Sequence, residues 1–153
     1  MPLLETTDLT VKLGDATILH AVSFQVEPAD SVTIVGQNGA GKSTLLRSIA
    51  GLLPAASGNV HLNDRPVGTY RRKELATWLS YVPQADGRPL PFSVREFVTM
   101  GRYPHLSPFS SIRSEDKAAI EEALALTHLQ ELEGRMLNTL SGGERQKVFI
   151  AAA

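Results

Sequence analysis

Gly36-Gln37-Asn38-Gly39-Ala40-Gly41-Lys42-Ser43 is the stretch on which the fold turns. It satisfies G-x-x-x-x-G-K-[ST], the pattern of a phosphate-binding loop. Glycines let the backbone curl until successive N–H groups point inward at phosphate oxygens. The helix that follows adds its positive N-terminal end. Lys42 supplies a compact cation for β- and γ-phosphates, the Ser43 hydroxyl a ligand for Mg2+, and Thr44 a donor to the α-phosphate. Gly36, Gln37, Asn38, Gly39, Ala40 and Gly41 line the cradle through their backbone. The flanks suit the motif. Ser31 to Val35 (SVTIV) is a compact apolar run, expected as a buried strand. Ser43 to Leu53 (STLLRSIAGLL) is expected as a helix that Pro54 stops. The pattern points to a bound nucleotide with Mg2+.

Upstream, Leu3 to Leu13 and Thr17 to Val26 flank Gly14-Asp15 and predict a hairpin. Asn59 to Leu62 with Pro66 to Tyr70 predict a second, Arg71 to Trp78 one or two helical turns, and Leu79 to Val82 (LSYV) a buried strand. The texture changes after Gln84. Ala85 to Pro91 reads as a linker, and helices then dominate. Ser93-Val94-Arg95-Glu96 is a capping box, in which Ser and Glu side chains satisfy each other's backbone N–H groups. Tyr103 to Ser111 is loop-like. A helix from Ser114 to about His128 places Ile120, Ala123, Leu124 and Thr127 on one face. Ser141-Gly142-Gly143-Glu144 is a second capping box, opening a helix expected to be still running at Ala153.

Composition excludes several classes. Over 153 residues the hydrophobic set is 42%, with 12 glycines besides, as in ordinary globular chains. The chain lacks cysteine, so disulfide staples and thiolate metal sites are ruled out. No apolar run approaches the roughly 18 residues of a spanning helix, and MPLLETTDLT does not read as a secretory signal. With 15 Lys and Arg against 16 Asp and Glu, the balance supports neither a nucleic-acid groove nor a polybasic membrane patch.

Leu140-Ser141-Gly142-Gly143-Glu144-Arg145-Gln146 is the other unusual string. Two glycines at a helix start leave backbone N–H groups bare, which makes an anion site. Together with the phosphate loop, LSGGERQ resembles the signature motif of ATP-binding-cassette (ABC) ATPases. The resemblance covers the chain in order. It implies an α/β fold: a P-loop NTPase core with an antiparallel β subdomain and a helical subdomain, the C-terminal part of the core missing. The division expected is 1–86 for the core and antiparallel β subdomain, 87–139 for the helical subdomain, and 140–153 for the signature and return helix. In that family the signature faces the phosphate loop of a second subunit, head to tail. Ser141, Gly142 and Gly143 would then bind the partner's nucleotide, with Ser141 and Gly143 catalytic in trans beside Lys42. Tyr81-Val82-Pro83-Gln84 resembles the family's Q-loop, whose glutamine senses Mg2+ and the attacking water.

Some positions depart from the family pattern. Leu13 stands where the family stacks an aromatic ring on adenine, and Gln37 stands where many members carry proline. The apolar strand ending in Asp-Glu and the switch histidine lie beyond the signature in the family. The chain is therefore expected to be a fragment that binds nucleotide without turning it over. His20, His61, His105 and His128 do not match the switch position and are read as structural or surface residues.

Ser93 to Phe109, SVREFVTMGRYPHLSPF, is similar to the ATPases of bacterial importers for ferric siderophores, haem and cobalamin. The resemblance implies an ATP-driven importer motor on the cytoplasmic face of the membrane. Its partners would be a second copy of itself, integral permease subunits docked near Arg102, Tyr103, Pro104 and His105, and indirectly a periplasmic or lipoprotein binding protein, but no nucleic acid. Two other readings stay open: a non-transport ABC ATPase of DNA repair or translation, and a nucleotide-binding module without turnover.

Overall fold

The computed structural model describes residues 2–84, 89–107 and 111–153. Most of the expected linker (85–88) and part of the Tyr103 to Ser111 loop (108–110) lie outside them. The chain divides into two compact units, Met1–Leu75 and Ala76–Ala153.

In the first unit, β1 (Leu4–Leu13) and β2 (Ala16–Val26) form an antiparallel pair around the Gly14-Asp15 turn, as the sequence predicts. Strand β3 (Ser57–Leu62) takes the other edge of β1, and a two-residue β4 (Arg65–Pro66) closes on β3, giving the order β2-β1-β3-β4. Only β4 and a 3-10 turn at Val67–Thr69 stand where the second strand of the small hairpin is expected. Pro66 explains the brevity, because it brings no N–H to the ladder. Helix α2 (Arg72–Leu75) follows as one turn. The core of the unit is Leu9, Val11 and Leu19 of the sheet with Leu45 and Ile49 of helix α1 (Lys42–Ile49). Each such apolar side chain contributes roughly 1.5–3 kcal/mol on burial.

Two expectations fail here. Helix α1 ends at Ile49 rather than Leu53, and Gly51, not Pro54, stops it. Gly51 adopts φ +67, the left-handed conformation that ends helices. Its N–H donates to the Ser48 carbonyl at 3.1 Å, and the Leu52 N–H to that of Arg47 at 2.8 Å. The run Ser31 to Val35 pairs with none of the described strands, and Val32 and Val35 are 55% and 84% exposed. A strand exists only through its neighbours. Both edges of β1 are taken by β2 and β3, and the run forms no regular element. A third expectation fails in the second unit, where Leu79 to Val82 forms no strand among the described residues and Leu79, Tyr81 and Val82 are half-buried.

The second unit is helical. Helices α3 (Val94–Met100), α4 (Ser114–Leu126) and α5 (Gly142–Ala151) enclose Val94, Val98, Ile120, Leu124, Leu129, Leu137, Leu140 and Val148. The expected face of α4 holds, with Ile120 and Leu124 buried and Ala123 and Thr127 half-buried. The α4 start is fixed by Asp116, 3% exposed. It accepts from the Arg113 N–H and the Arg102 Nε, each at 3.1 Å. Chiefly the Arg113 N–H, and then the Arg102 guanidinium, hold its carboxyl below the usual aspartate range. Helix α5 ends at Ala151 with Ala152 as its C-cap and is not still running at Ala153 as the sequence predicts, because the Ala152 N–H closes the last turn on the Val148 carbonyl. The Phe97 and Phe149 rings meet at 5.4 Å between α3 and α5.

Candidate nucleotide site

The loop from Gly36 to Gly41 has no regular secondary structure and needs glycine at two places. Gly39 and Gly41 adopt φ +86 and +91, the left-handed region in which a Cβ is strained. At Gly41 space is limiting too: a Cβ would lie 2.8 Å from Leu19 Cδ2 and 3.3 Å from the Ile18 carbonyl. The strand β2 therefore forms the wall against which the loop turns into α1. The Ala40 N–H closes the turn on the Gln37 carbonyl at 3.2 Å.

Gly41 is the N-cap of α1, and no side chain caps that turn. The N–H groups that begin a helix have no intrahelical acceptor, so this end presents donors and the positive end of the dipole. The Lys42 ammonium arches back over the loop. It donates to the Gly36 carbonyl at 2.8 Å and to the Gln37 carbonyl at 2.7 Å. A lysine held by carbonyls at a loop of turned-in backbone is placed to exchange them for the oxygens of a polyphosphate, whose charge makes the stronger bond. Ser43 is exposed and Thr44 half-buried on the same first turn. Leu13, 47% exposed, ends β1 next to the hairpin turn. It offers apolar contact but no π face.

The second unit holds the other candidates. Ser141 is the N-cap of α5 in a complete capping box. Its Oγ accepts from the Glu144 N–H at 3.3 Å and donates to Glu144 Oε2 at 2.7 Å. The Ser141 N–H donates to the same Oε2, also at 2.7 Å. These two bonds, backbone first, hold the Glu144 carboxyl below the usual glutamate range. Gly142 and Gly143 lie in open space, with nothing within 4 Å of a Cβ built at either. Gln84 is exposed in an irregular segment.

Arg145 and Gln146 escape a reading confined to the motif. Arg145 is buried, and its guanidinium donates to the Leu137 carbonyl at 3.0 Å. Gln146 Nε2 donates to the Pro83 carbonyl at 3.3 Å, joining α5 to the residue before Gln84. The partners lie 8 and 63 residues away, and neither bond follows from a short-range pattern. Both residues do fall inside the LSGGERQ string, which is the one signal available.

A metal centre built from this chain alone finds no support. Among the described residues no group of three or more His, Cys, Asp or Glu could hold an ion. Ser43 with a nucleotide's phosphates suits Mg2+, which commonly binds through one or two protein oxygens plus substrate phosphates.

Residues 19–153 match the family model described as ABC transporter. The hemin import ATP-binding protein HmuV of Streptomyces coelicolor is 41% identical over 143 residues, spanning 94% of this chain and 50% of that protein. The probable siderophore transport system ATP-binding protein YusV of Bacillus subtilis is 36% identical over 151 residues, spanning 99% and 55%. The chain thus spans about half the length of the curated relatives it matches. Among solved structures, a nucleotide-free ATP-binding cassette from an ABC transporter superposes with TM-score 0.82 at 28% identity, over 100% of this chain and 64% of that one. The cbiO1 protein of Clostridium perfringens, part of the ABC transporter complex cbiONQ, superposes with TM-score 0.76 at 26% identity, over 99% and 60%.

Proposed function

Because this chain belongs to the ABC transporter family, we propose that it is part of the ATP-binding motor of an importer for a ferric siderophore or haem. The observation that carries the reading is Lys42, held by two loop carbonyls over the uncapped start of α1. Siderophore and hemin import are the named roles of the relatives above, and the Met-Gly-Arg-Tyr-Pro-His string supports the same class.

On this reading Lys42 leaves the Gly36 and Gln37 carbonyls for the β- and γ-phosphates. The Gly39 and Gly41 conformations keep backbone N–H groups turned toward the same charge. Ser43 holds Mg2+. Ser141 and Gly143 act in trans, on nucleotide bound by a second copy. Bound Mg·ATP supplies the transferable phosphoryl group, and the chain's share of the chemistry is positioning and charge stabilisation. Leu13 holds the base by apolar contact.

Among the described residues no helix is long and apolar enough to cross a membrane, and none is needed by a motor held peripherally at the cytoplasmic face by a permease. Tyr103, 69% exposed in a 3-10 turn with Pro104 and His105, is the proposed contact for that permease. A binding protein would act only through it.

Titration of a fluorescent ATP analogue against the chain and its Lys42→Ala variant tests the cradle. Loss of charged hydrogen bonds at about 1.5–3 kcal/mol weakens binding about tenfold or more. Equal affinities would overturn the assignment. For the docking surface, Tyr103→Ala or His105→Glu is tested in the motor reconstituted with its permease. Transport should fall while basal hydrolysis persists, and unchanged transport would make this loop a mere connector.

A further inference from the structure

The first unit holds a cleft of about 550 Å³ at the end of α1 far from the phosphate loop. Ser48 lines it and stands six residues after Lys42, roughly 9 Å along the helix axis at about 1.5 Å per residue. Leu9 of β1, Val60 of β3 and Val67 form apolar walls, with Leu52 and Leu53 from the turn after α1. Gly51, Gly58 and Gly68 bring no side chain to fill the space. Three polar side chains share the lining: Ser48, Asn59 and Arg72. Among the described residues none of the three has a hydrogen-bond or ion-pair partner for its side chain. They differ in depth. Ser48 is 4% exposed, whereas Asn59 and Arg72 are exposed. A serine hydroxyl in a helix commonly turns back to the carbonyl four residues earlier, here that of Thr44, and Ser48 does not make that bond. A buried hydroxyl left without a partner destabilises the fold. No Asp or Glu lines the cleft, so the charge it presents is the Arg72 guanidinium.

We propose that this cleft binds a small hydroxy acid with an apolar body, at a site separate from the nucleotide cradle. Its size falls in the range of ligand pockets, roughly 300–1,000 Å³, which are apolar with a few polar groups that fix orientation. The carboxylate sits at the mouth, where Arg72 offers a planar fork that matches it and the Asn59 amide adds a donor. The apolar body lies along Leu9, Leu52 and Val67. The hydroxyl goes to the deep end, where Ser48 Oγ reaches it by a change of χ1 rotamer and gains the partner it lacks. Polar groups at two depths with apolar walls between them select a ligand that is polar at both ends.

The test is calorimetric titration of the full chain with para-hydroxyphenylacetate, phenylacetate and tyrosol. Phenylacetate lacks the ring hydroxyl, and tyrosol has an alcohol in place of the carboxylate. The hydroxy acid should bind the parent most tightly. Ser48→Ala should weaken it about two- to tenfold, the factor of one neutral hydrogen bond, and leave phenylacetate unchanged. Arg72→Gln should weaken both acids roughly tenfold or more, as loss of a charged hydrogen bond does, and leave tyrosol unchanged. Saturating Mg·ATP should alter none of these affinities. Without ligand, Ser48→Ala should melt no lower than the parent, because it removes a donor that has no partner. Absence of binding to the parent would overturn the proposal, as would equal affinities for the three compounds. Displacement of the acids by Mg·ATP would put them on the phosphate loop and refute it. A Ser48→Ala chain that melts below the parent would show the hydroxyl already bonded within α1, and would also refute it. Arg72 is exposed, so its variant folds and decides the charge requirement whatever Ser48→Ala does.

Discussion

Helix α1 has Gly41 as its N-cap and no side-chain capping bond, whereas α5 has Ser141 as its N-cap inside a complete capping box. Both ends carry the positive pole of a helix dipole, and both follow glycine-bearing motifs. They differ in what already occupies them. At α1 the nearby charge is the Lys42 cation, bonded to the loop's own carbonyls. At α5 it is the Glu144 carboxylate, which holds both the hydroxyl and the N–H of Ser141. An anion arriving at α1 meets donors and a cation. One arriving at α5 has to compete with a carboxylate for Ser141. On the proposed reading the first end holds phosphate and the second touches it conditionally, as a cradle and a clamp.

The glycines break the comparison most sharply. Gly41→Ala places a Cβ 2.8 Å from Leu19 Cδ2 at φ +91. Strain of about 1–3 kcal/mol is expected, with a lower melting temperature and weakened binding of an ATP analogue. Gly143→Ala meets open space in a helix. It should leave the melting temperature equal or higher, by up to about 0.5–1 kcal/mol of helix preference. Opposite signs in parallel thermal melts are the expected result, and equal destabilisation would contradict it.

Capping gives the next effect. Ser141→Ala should cost about 0.5–2 kcal/mol, while α1 has no capping side chain to lose. The same box predicts a pH dependence. Glu144 has its carboxyl lowered on folding by the Ser141 N–H and hydroxyl. Its stabilisation is therefore full above the ordinary glutamate value of about 4.3 and is lost as pH falls through the lowered folded value. Melting of the chain and of Glu144→Gln, followed from neutral pH into acid, should show the difference between them shrink over that window. A constant difference would detach the carboxylate from the cap.

How much of this was legible in the sequence follows from how local each signal is. The phosphate loop, both capping boxes, the Gly14-Asp15 hairpin and the buried face of α4 depend on residues a few positions apart, and each stands where the pattern puts it. SVTIV and LSYV read as strands on composition, but a strand needs a partner, and none of the described strands pairs with either. Pro54 is the louder stop signal for α1, but Gly51 in the left-handed conformation acts three residues earlier. The Gln146–Pro83 bond spans 63 residues and has no local trace at all.

The smallest effect concerns the base. Leu13→Tyr adds a ring at a half-exposed strand end and should tighten ATP binding by about 0.5–1.5 kcal/mol if it stacks as aromatic pairs do. Isothermal titration of both proteins with ATP reads the difference, and an unchanged or weaker dissociation constant would place the base elsewhere.

The measurement that bears most directly on the cradle and the clamp acting in different copies is a mixing experiment. Lys42→Ala removes the cation from one chain. Gly143→Asp, at an open position, sets a carboxylate at the α5 start of another. Each variant alone lacks one half of every shared site. A mixed pair recovers one complete site, from the cradle of the second chain and the signature of the first. The account predicts no ATP-dependent association for either variant by itself and clear association when the two are mixed with Mg·ATP. Failure of the mixture to associate under conditions where the parent chain does, or association of Gly143→Asp by itself, would contradict it.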